Sequence, residues 1–175
     1  MTATEVFESV TNGGSSDFAQ VVAILNASGP WCLIGGLAVN CYAEPVYTVD
    51  ADVVVVSENL AAIREQLSRA GFSVNVFAHS LNARKGSSKL SVQFTSDERY
   101  QSFIGRAQQR DVLGHRIPVA TIEDIIQGKI WAWQDADRRL SKRKKDELDL
   151  LRIGEAHPQL REQLPDEIVK LLREN

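Results

Sequence analysis

The sequence has few cysteines and no long apolar stretch, and both absences exclude classes of protein. Its two cysteines, Cys32 and Cys41, fall on a predicted strand and a predicted helix, with no second pair to suggest a zinc site. No segment approaches the roughly 18 apolar residues of a membrane span. The first residues also lack a basic region followed by an apolar stretch. We therefore expect reduced cysteines in a soluble, cytoplasmic protein with no membrane partner.

The chain also lacks an excess of positive charge. The formal net charge of −3 argues against a generally basic nucleic-acid-binding protein. One local exception is residues 138–145, of which six are basic. A solvated charged face is the usual explanation for such a run, and a binding patch is the alternative. The three histidines, His79, His115 and His157, form no pattern that indicates a ligand set.

The length and the hydrophobic pattern predict one domain. A chain of 175 residues, 43% of them hydrophobic, is long enough to bury a core. We expect a single domain over residues 1–175, with a helical lead-in (1–30), a sheet core (31–120) and C-terminal helices (121–175). Periodicity predicts helices at 4–11, 17–27, 37–43, 58–70, 97–105, 122–137, 142–155 and 165–173, and strands at 31–34, 53–56, 72–77, 89–95 and twice within 111–119. Residues 79–88 are polar and predict a mobile loop.

The most informative segment is a glycine turn between a strand and a helix. Gly35 and Gly36 follow the apolar run 31–34 and precede the helix predicted at 37–43. Backbone amides at a helix N-terminus attract anions, and glycines leave room for a phosphate. A simple tight turn is the plainer interpretation. We interpret the two glycines as a nucleotide-binding element.

Two carboxylates follow at the opening of the next strand. Asp50 and Asp52 flank Ala51, and alternate residues of a strand point to one face, roughly 6–7 Å apart. Magnesium commonly takes one or two carboxylates together with substrate phosphates. Asp50 and Asp52 are therefore the predicted metal ligands and catalytic residues, although a solvated or capping pair is the simpler alternative.

These motifs together resemble a known family. Residues 35–38 (Gly-Gly-Leu-Ala) and 48–52 (Thr-Val-Asp-Ala-Asp) are similar to the nucleotidyltransferase-like superfamily, in its AbiEii-type toxin branch. Residues 119–129 and 142–151 resemble the C-terminal half of those proteins, so that the resemblance covers roughly residues 18–153.

The resemblance implies a fold, a reaction and partners. The fold would be of the α/β (α+β) class, a mixed β-sheet flanked by helices with a helical C-terminal part. The reaction would be the Mg²⁺-dependent (or Mn²⁺-dependent) transfer of NMP from an NTP to an RNA or protein acceptor, with an antitoxin as partner if the protein is a toxin. The resemblance places Lys129, Lys142 and Lys145 near the triphosphate, and Asp146 and Asp149 where they orient these lysines.

One position departs from the family. A third carboxylate normally comes from a later strand, and the matching strand at 89–95 carries Gln93 instead, a neutral amide that cannot act as a base. Asp97 is either a substitute or, more simply, a helix cap. Gln93 supports a second hypothesis, a catalytically degenerate module that binds nucleotide, RNA or protein. A third is a structural protein whose Asp50 and Asp52 bind nothing.

Two tryptophans lie close to the predicted site. Trp131 and Trp133 are two residues apart on one predicted helix and so cannot share a face. One of them is expected in the core, and the other at an opening, where it packs or stacks on a base.

Overall fold

A computed structural model describes residues 2–86 and 88–173, which form a β-sheet flanked by helices. The helices are α1 (Ala3–Thr11), α2 (Gly14–Ser28), α3 (Gly35–Val39), α4 (Leu60–Arg69), α5 (Gln101–Arg106), α6 (Ile122–Gln134), α7 (Leu140–Ala156) and α8 (Asp166–Arg173). The strands are β1 (Trp31–Ile34), β2 (Asp50–Val55), β3 (Ser73–Val76), β4 (Ser80–Arg84), β5 (Ser91–Thr95), β6 (Gln108–Val112) and β7 (His115–Val119). Short 3₁₀ helices occur at Ser57–Asn59, Glu98–Tyr100 and Pro158–Gln163.

The seven strands form one mixed sheet in the order β3-β4-β5-β2-β1-β7-β6. Neighbours are parallel in the pairs β2–β5 and β1–β7 and antiparallel in the others. The central strands β1 and β2 carry uninterrupted apolar runs, because both faces of the sheet are covered there. Cys32, Leu33, Val53 and Val54 are almost fully buried. The predicted mixed sheet flanked by helices, with helices at the C-terminal end, is confirmed.

The C-terminal helices pack beside the short helix that follows β1. Helix α3 contacts β2, α6 and α7, and α6 packs along α7. On α6 the side chains of Ile125 and Ile126 are buried. This packing brings side chains of α6 and α7 to the end of β2 where Asp50 and Asp52 lie.

One of the predicted local structures is wrong, and the bounds of another differ from the prediction. Residues 80–84 form β4, not part of a mobile loop, because Leu81 and Ala83 are buried on one face while polar neighbours alternate with them. Residue 87 of that predicted loop lies outside the described residues. The helix predicted at 37–43 is α3, which begins at Gly35 and ends at Val39. It stops there because the Asn40 side chain exchanges hydrogen bonds with the backbone of Val46, at 2.8 and 3.1 Å.

The bounds of other helices and strands differ by a few residues from those predicted. Strand β2 includes Asp50 and Asp52, and α7 begins at Leu140. No helix in the part of the chain that the structure describes is both long and apolar enough to span a bilayer.

Candidate active site

Gly35 brings the β1–α3 turn directly against Asp52. The last residue of β1, Ile34, pairs with Asp52 on β2. Gly35 then has φ +73°, a left-handed conformation that glycine adopts without strain. A Cβ at Gly35 would overlap the Asp52 carboxylate, whereas one at Gly36 would meet Asp149 and Thr48 at an ordinary 3.9 Å. Only the first glycine is therefore required by close packing.

The two aspartates of β2 have different surroundings. The ammonium of Lys142 lies 3.0 Å from Oδ2 of Asp50, and their side chains are 41% and 34% exposed. Burial raises the pKa of Asp52 above its ordinary value, and the nearby Asp50 charge adds to this effect, while the Lys129 ammonium opposes it. Asp52 thus lies in a less polar environment than a surface carboxylate, and this environment opposes its ionisation.

Gln93 is the direct neighbour of Asp52 in the sheet. The parallel pairing of β2 with β5 aligns these two residues. Gln93 is exposed towards the cavity described below. It contributes an amide oxygen and no charge beside the aspartate.

Lys129 on α6 is held by two carboxylates of α7. Its Nζ lies 2.9 Å from Asp146 and 2.6 Å from Asp149, and the lysine side chain is only 11% exposed. Burial lowers the pKa of Lys129, but the charges of Asp149 and Asp146 outweigh burial and raise it above the ordinary value. Lys129 is therefore charged, and Arg138 and Arg152 bind the other oxygens of the same two carboxylates, at 2.8 and 2.7 Å.

Arg152 connects this buried cluster to the loop before β2. Besides Asp149, its guanidinium donates to Oδ1 of Asn40 at 2.7 Å and to the carbonyl of Glu44. Asn40 in turn bonds the backbone of Val46. The arginine thereby fixes the segment that leads into Asp50 and Asp52.

A cavity of about 300 Å³ opens between the sheet, α5 and α6. Its lining includes Gly35, Asp52, Gln93, Lys129, Arg138 and Asp146, and also Thr95, the Asp97–Arg99 ion pair and the rings of Tyr100, Phe103 and Trp131. The cavity therefore has a charged part next to Asp52 and an aromatic part.

The aromatic part is a set of packed rings. Trp131 is stacked on Phe103 with 5.9 Å between centroids and an interplanar angle of 11°. Tyr100 meets both rings edge to face, with 5.3 Å between centroids in each case. The guanidinium of Arg99 lies 5.6 Å from the Trp131 centroid and 5.8 Å from that of Tyr100.

Asp97 acts as a cap in the structure. Its carboxylate accepts from the backbone N–H of Arg99 at 3.0 Å and binds the Arg99 guanidinium at 2.8 Å. The hydrogen bonds from this guanidinium hold the pKa of Asp97 below its usual value. The capping interpretation of Asp97 is confirmed.

The structure gathers most, though not all, of the residues singled out from the sequence. Gly35, Asp52 and Lys129 line the cavity, and Asp50 lies beside them with Lys142 as its partner. Lys145 is exposed on α7, and the described residues that line the cavity do not include it. No three His, Cys, Asp or Glu side chains within residues 2–86 and 88–173 are arranged to hold a metal ion, so a cation would need other oxygen ligands besides Asp50 and Asp52.

Sequence reasoning missed the aromatic part apart from Trp131. Tyr100 and Phe103 are three residues apart, a spacing that puts two side chains on one face of a helix. That spacing was the available signal, but it does not show which face meets the cavity. Trp133 lies between α6 and α7, where its Nε1 donates a hydrogen bond to Glu147 at 3.1 Å.

The sequence has no significant match among protein-family models or curated proteins. Several solved structures are similar in fold. The solution structure of the antibiotic-resistance factor ANT(2″)-Ia matches with a TM-score of 0.60 and 15% identity, over 93% of this chain and 90% of that one. Its crystal structure in complex with adenylyl-2″-tobramycin matches with a TM-score of 0.55 and 17% identity, over 91% and 94% of the chains.

A third solved structure extends the comparison. The crystal structure of an antigenic nucleotidyltransferase-like protein from Paracoccidioides brasiliensis matches with a TM-score of 0.50 and 14% identity, over 94% of this chain and 92% of that one. At such low identities the likeness concerns the fold alone. Together with the mixed sheet and its flanking helices, it shows that the chain has the nucleotidyltransferase fold.

Proposed function

We propose that the protein is a nucleotidyltransferase that transfers NMP from an NTP to a hydroxyl acceptor, with Mg²⁺ or Mn²⁺ as cofactor. The observation that carries the proposal is the close approach of the Gly35 turn to Asp52, with Lys129 on the same cavity and the Asp50–Lys142 pair beside it. A phosphate-binding turn, two carboxylates and two ammonium groups are the parts that phosphoryl transfer needs.

The donor atoms suit one divalent cation bound together with a nucleotide. Asp50 and Asp52 would hold it, with the Gln93 amide oxygen as a neutral third donor, and substrate phosphates would supply the remaining oxygens. Such a cation neutralises the charge that develops on the phosphate oxygens during transfer.

The three lysines have different roles in this proposal. Lys142 exchanges Asp50 for the triphosphate, since its side chain is 41% exposed and has room to move. Lys129 remains between Asp146 and Asp149 and contributes its charge from a fixed position. Lys145, the third lysine that the family resemblance implies, would meet the triphosphate only with its side chain turned from solvent towards the site.

The reaction is a displacement at the α-phosphorus. The acceptor oxygen forms a new bond to this phosphorus, the bond to the bridging oxygen of the β-phosphate breaks, and pyrophosphate leaves with that electron pair. The proton of the acceptor hydroxyl passes to solvent, because Gln93 cannot accept it. Loose transition states of this kind depend mainly on positioning and charge, so that the reaction proceeds, more slowly, without a third carboxylate.

We propose RNA or protein as the acceptor, in the setting of an AbiEii-type toxin with its antitoxin. Exposed basic residues at the start of α7, among them Arg139 and Lys145, offer a surface for a polyanion beside the active site. A hydroxylated small molecule is the alternative acceptor, since the ANT(2″)-Ia structure contains adenylyl-2″-tobramycin.

The test is calorimetric titration of each NTP, with and without Mg²⁺, into the wild type and into the double variant Asp50→Asn/Asp52→Asn. We expect saturable, Mg²⁺-dependent binding that the double variant loses while its circular dichroism spectrum is unchanged. α-Labelled NTP incubated with cellular RNA and protein then reports transfer. Equal binding or equal transfer by the double variant would overturn the proposal.

A second candidate function is supported by Gln93. With no acidic residue beside Asp52 on β5, the fold would serve as a nucleotide- or RNA-binding module without turnover. NTP binding with no labelled product, together with salt-sensitive RNA binding lost on neutralising Arg139, Lys142 and Lys144, would identify this function.

A further inference from the structure

The aromatic part of the cavity contains an arginine whose charge is already compensated. One terminal nitrogen and the inner nitrogen of Arg99 donate to the Asp97 carboxylate, Nη2 at 2.8 Å and Nε at 3.2 Å. The Arg99 side chain is nevertheless 59% exposed. A guanidinium paired in this way is a weak anchor for phosphate, but its exposed surface lines the cavity.

The same guanidinium is held over aromatic rings. It lies over Tyr100 and Trp131, and Trp131 in turn is stacked on Phe103. We call Arg99, Tyr100 and Trp131, together with the buried Phe103 ring that packs against them, the stacking wall. Planar rings stack on aromatic side chains and on arginine guanidinium planes, which is how proteins commonly hold nucleobases.

The backbone of α6 is adapted to this wall. A Cβ at Gly128 would lie 3.1 Å from Cε1 of Tyr100 and 3.6 Å from Phe103. A side chain there would press on the Tyr100 ring, so Gly128 allows the rings to pack close to the helix. Gly128 itself lines the cavity, one residue before Lys129.

The stacking wall and the aspartates are connected by the segment that follows Gln93 on β5. Strand β5 runs from Gln93, beside Asp52, to Thr95, two residues or roughly 7 Å further on. The chain then reaches Asp97 and Arg99. The charged residues and the stacking wall thus line one cavity, and a nucleotide likewise carries a triphosphate and a base on its ribose.

We propose that the stacking wall binds the base of the NTP, with Arg99 and Trp131 as the residues that determine base selectivity. The inference rests on the proposed nucleotidyl transfer and adds the orientation of the nucleotide. Stacking on the wall favours purines over pyrimidines, because a purine offers the larger ring surface.

The experiment compares ligands with and without a base. Calorimetry in Mg²⁺ measures the dissociation constants of ATP, GTP, UTP and inorganic tripolyphosphate for the wild type, Arg99→Lys and Trp131→Leu. Arg99→Lys keeps the charge and removes the plane. Trp133→Phe and Arg116→Lys are the matched controls, since neither residue lines the cavity within the part of the chain that the structure describes. Thermal unfolding verifies that each variant is folded.

We expect ATP and GTP to bind about tenfold more weakly to Arg99→Lys and Trp131→Leu, and tripolyphosphate to bind all five proteins equally. Unchanged ATP affinity in Arg99→Lys, or equal wild-type affinity for ATP and tripolyphosphate, would overturn the inference and leave the proposed function standing. Failure of every NTP and of tripolyphosphate to bind the wild type would instead refute the proposed function, and the inference with it.

Discussion

The candidate active site has a packed side and an open side, and each contains one of the two lysines closest to the aspartates. On the packed side Lys129 is 11% exposed and lies between Asp146 and Asp149. On the open side Lys142 is 41% exposed and has Asp50 as its ion-pair partner. The two lysines have the same chemistry, but the structure permits only one of them to change partners at little cost.

The difference follows from desolvation. Exposed ion pairs contribute little to folding because water competes for both partners. Removing one partner of a buried pair leaves a charge without compensation in a medium of low dielectric constant. The packed side therefore stabilises the fold as well as the site, whereas the open side is available for ligands.

The largest expected effect is that of Lys129→Met. Loss of the ammonium leaves Asp146 and Asp149 with only Arg138 and Arg152, so we expect the free energy of unfolding to fall by about 3 kcal/mol. Lys142→Met is the matched control and should cost less than about 1 kcal/mol. Urea unfolding without nucleotide measures both. Equal losses in the two variants would show that the two sides do not differ.

Lys142→Met, which should lose little stability, should nevertheless lose affinity for NTP. Lys142→Met removes a cation that we propose to bind the triphosphate, so NTP affinity should fall although the fold is retained. Tripolyphosphate titration into Lys142→Met measures this loss without any contribution from a base.

Gly35 and Gly36 differ in the same way, because Gly35 is closely packed and Gly36 has room for a Cβ. Gly35→Ala places a Cβ against Asp52 at φ +73°, so we expect a loss of about 1–3 kcal/mol in stability and loss of metal-dependent NTP binding. Gly36→Ala meets neighbours only at 3.9 Å and should be close to neutral. Thermal unfolding and calorimetry measure the two effects. A destabilised Gly36→Ala with an unaffected Gly35→Ala would contradict this account of the turn.

Gln93→Asp tests whether the missing acid limits the reaction. An aspartate beside Asp52 would supply a third carboxylate, and we expect the transfer rate at saturating Mg²⁺ to rise on the order of tenfold, or about 1.4 kcal/mol in activation free energy. Gln93→Asn has the same side-chain length as the aspartate variant without its charge, and its rate should not rise. If neither variant transfers NMP while both bind NTP, the binding-module alternative is favoured.

The sequence predicted the glycine turn and the paired aspartates of the candidate site because both depend on local spacing. The turn at Gly35 and the alternation of Asp50 and Asp52 are set by residues a few positions apart, and the family resemblance carried by these segments implied the mixed sheet. Strand β4 was predicted as a loop because Asn82 and Arg84 make the segment polar, and it has only two buried residues, Leu81 and Ala83.

Other features depend on contacts between distant residues and had no local signal. Lys129 and Asp146 are 17 residues apart and meet only because α6 and α7 pack together. Arg99 and Trp131 likewise meet across two elements. The difference in burial between Lys129 and Lys142 is a property of the folded chain and had no signal in the sequence.

The smallest expected effect concerns Asp52 and pH. Burial raises the pKa of Asp52 above its ordinary value of 3.8, so the folded protein holds this proton more tightly than the unfolded chain does. The stabilisation is therefore complete below pH 3.8 and is lost as the pH rises through the raised pKa of the folded state. The asparagine side chain in Asp52→Asn does not titrate, so this variant does not lose that stabilisation as the pH rises.

The free energy of unfolding of Asp52→Asn, minus that of the wild type, should consequently become more positive as the pH rises across that window in buffer without divalent cations. Taking the difference at each pH cancels carboxylates far from the site, because distant groups contribute equally to both proteins. Asp50→Asn is the control from the open side, where the loss of the Lys142 ion pair should make the variant slightly less stable at neutral pH. A flat difference for Asp52→Asn would show that Asp52 is as well hydrated as a surface carboxylate. The packed side would then end at Lys129, and Gly35 would be needed for backbone conformation alone.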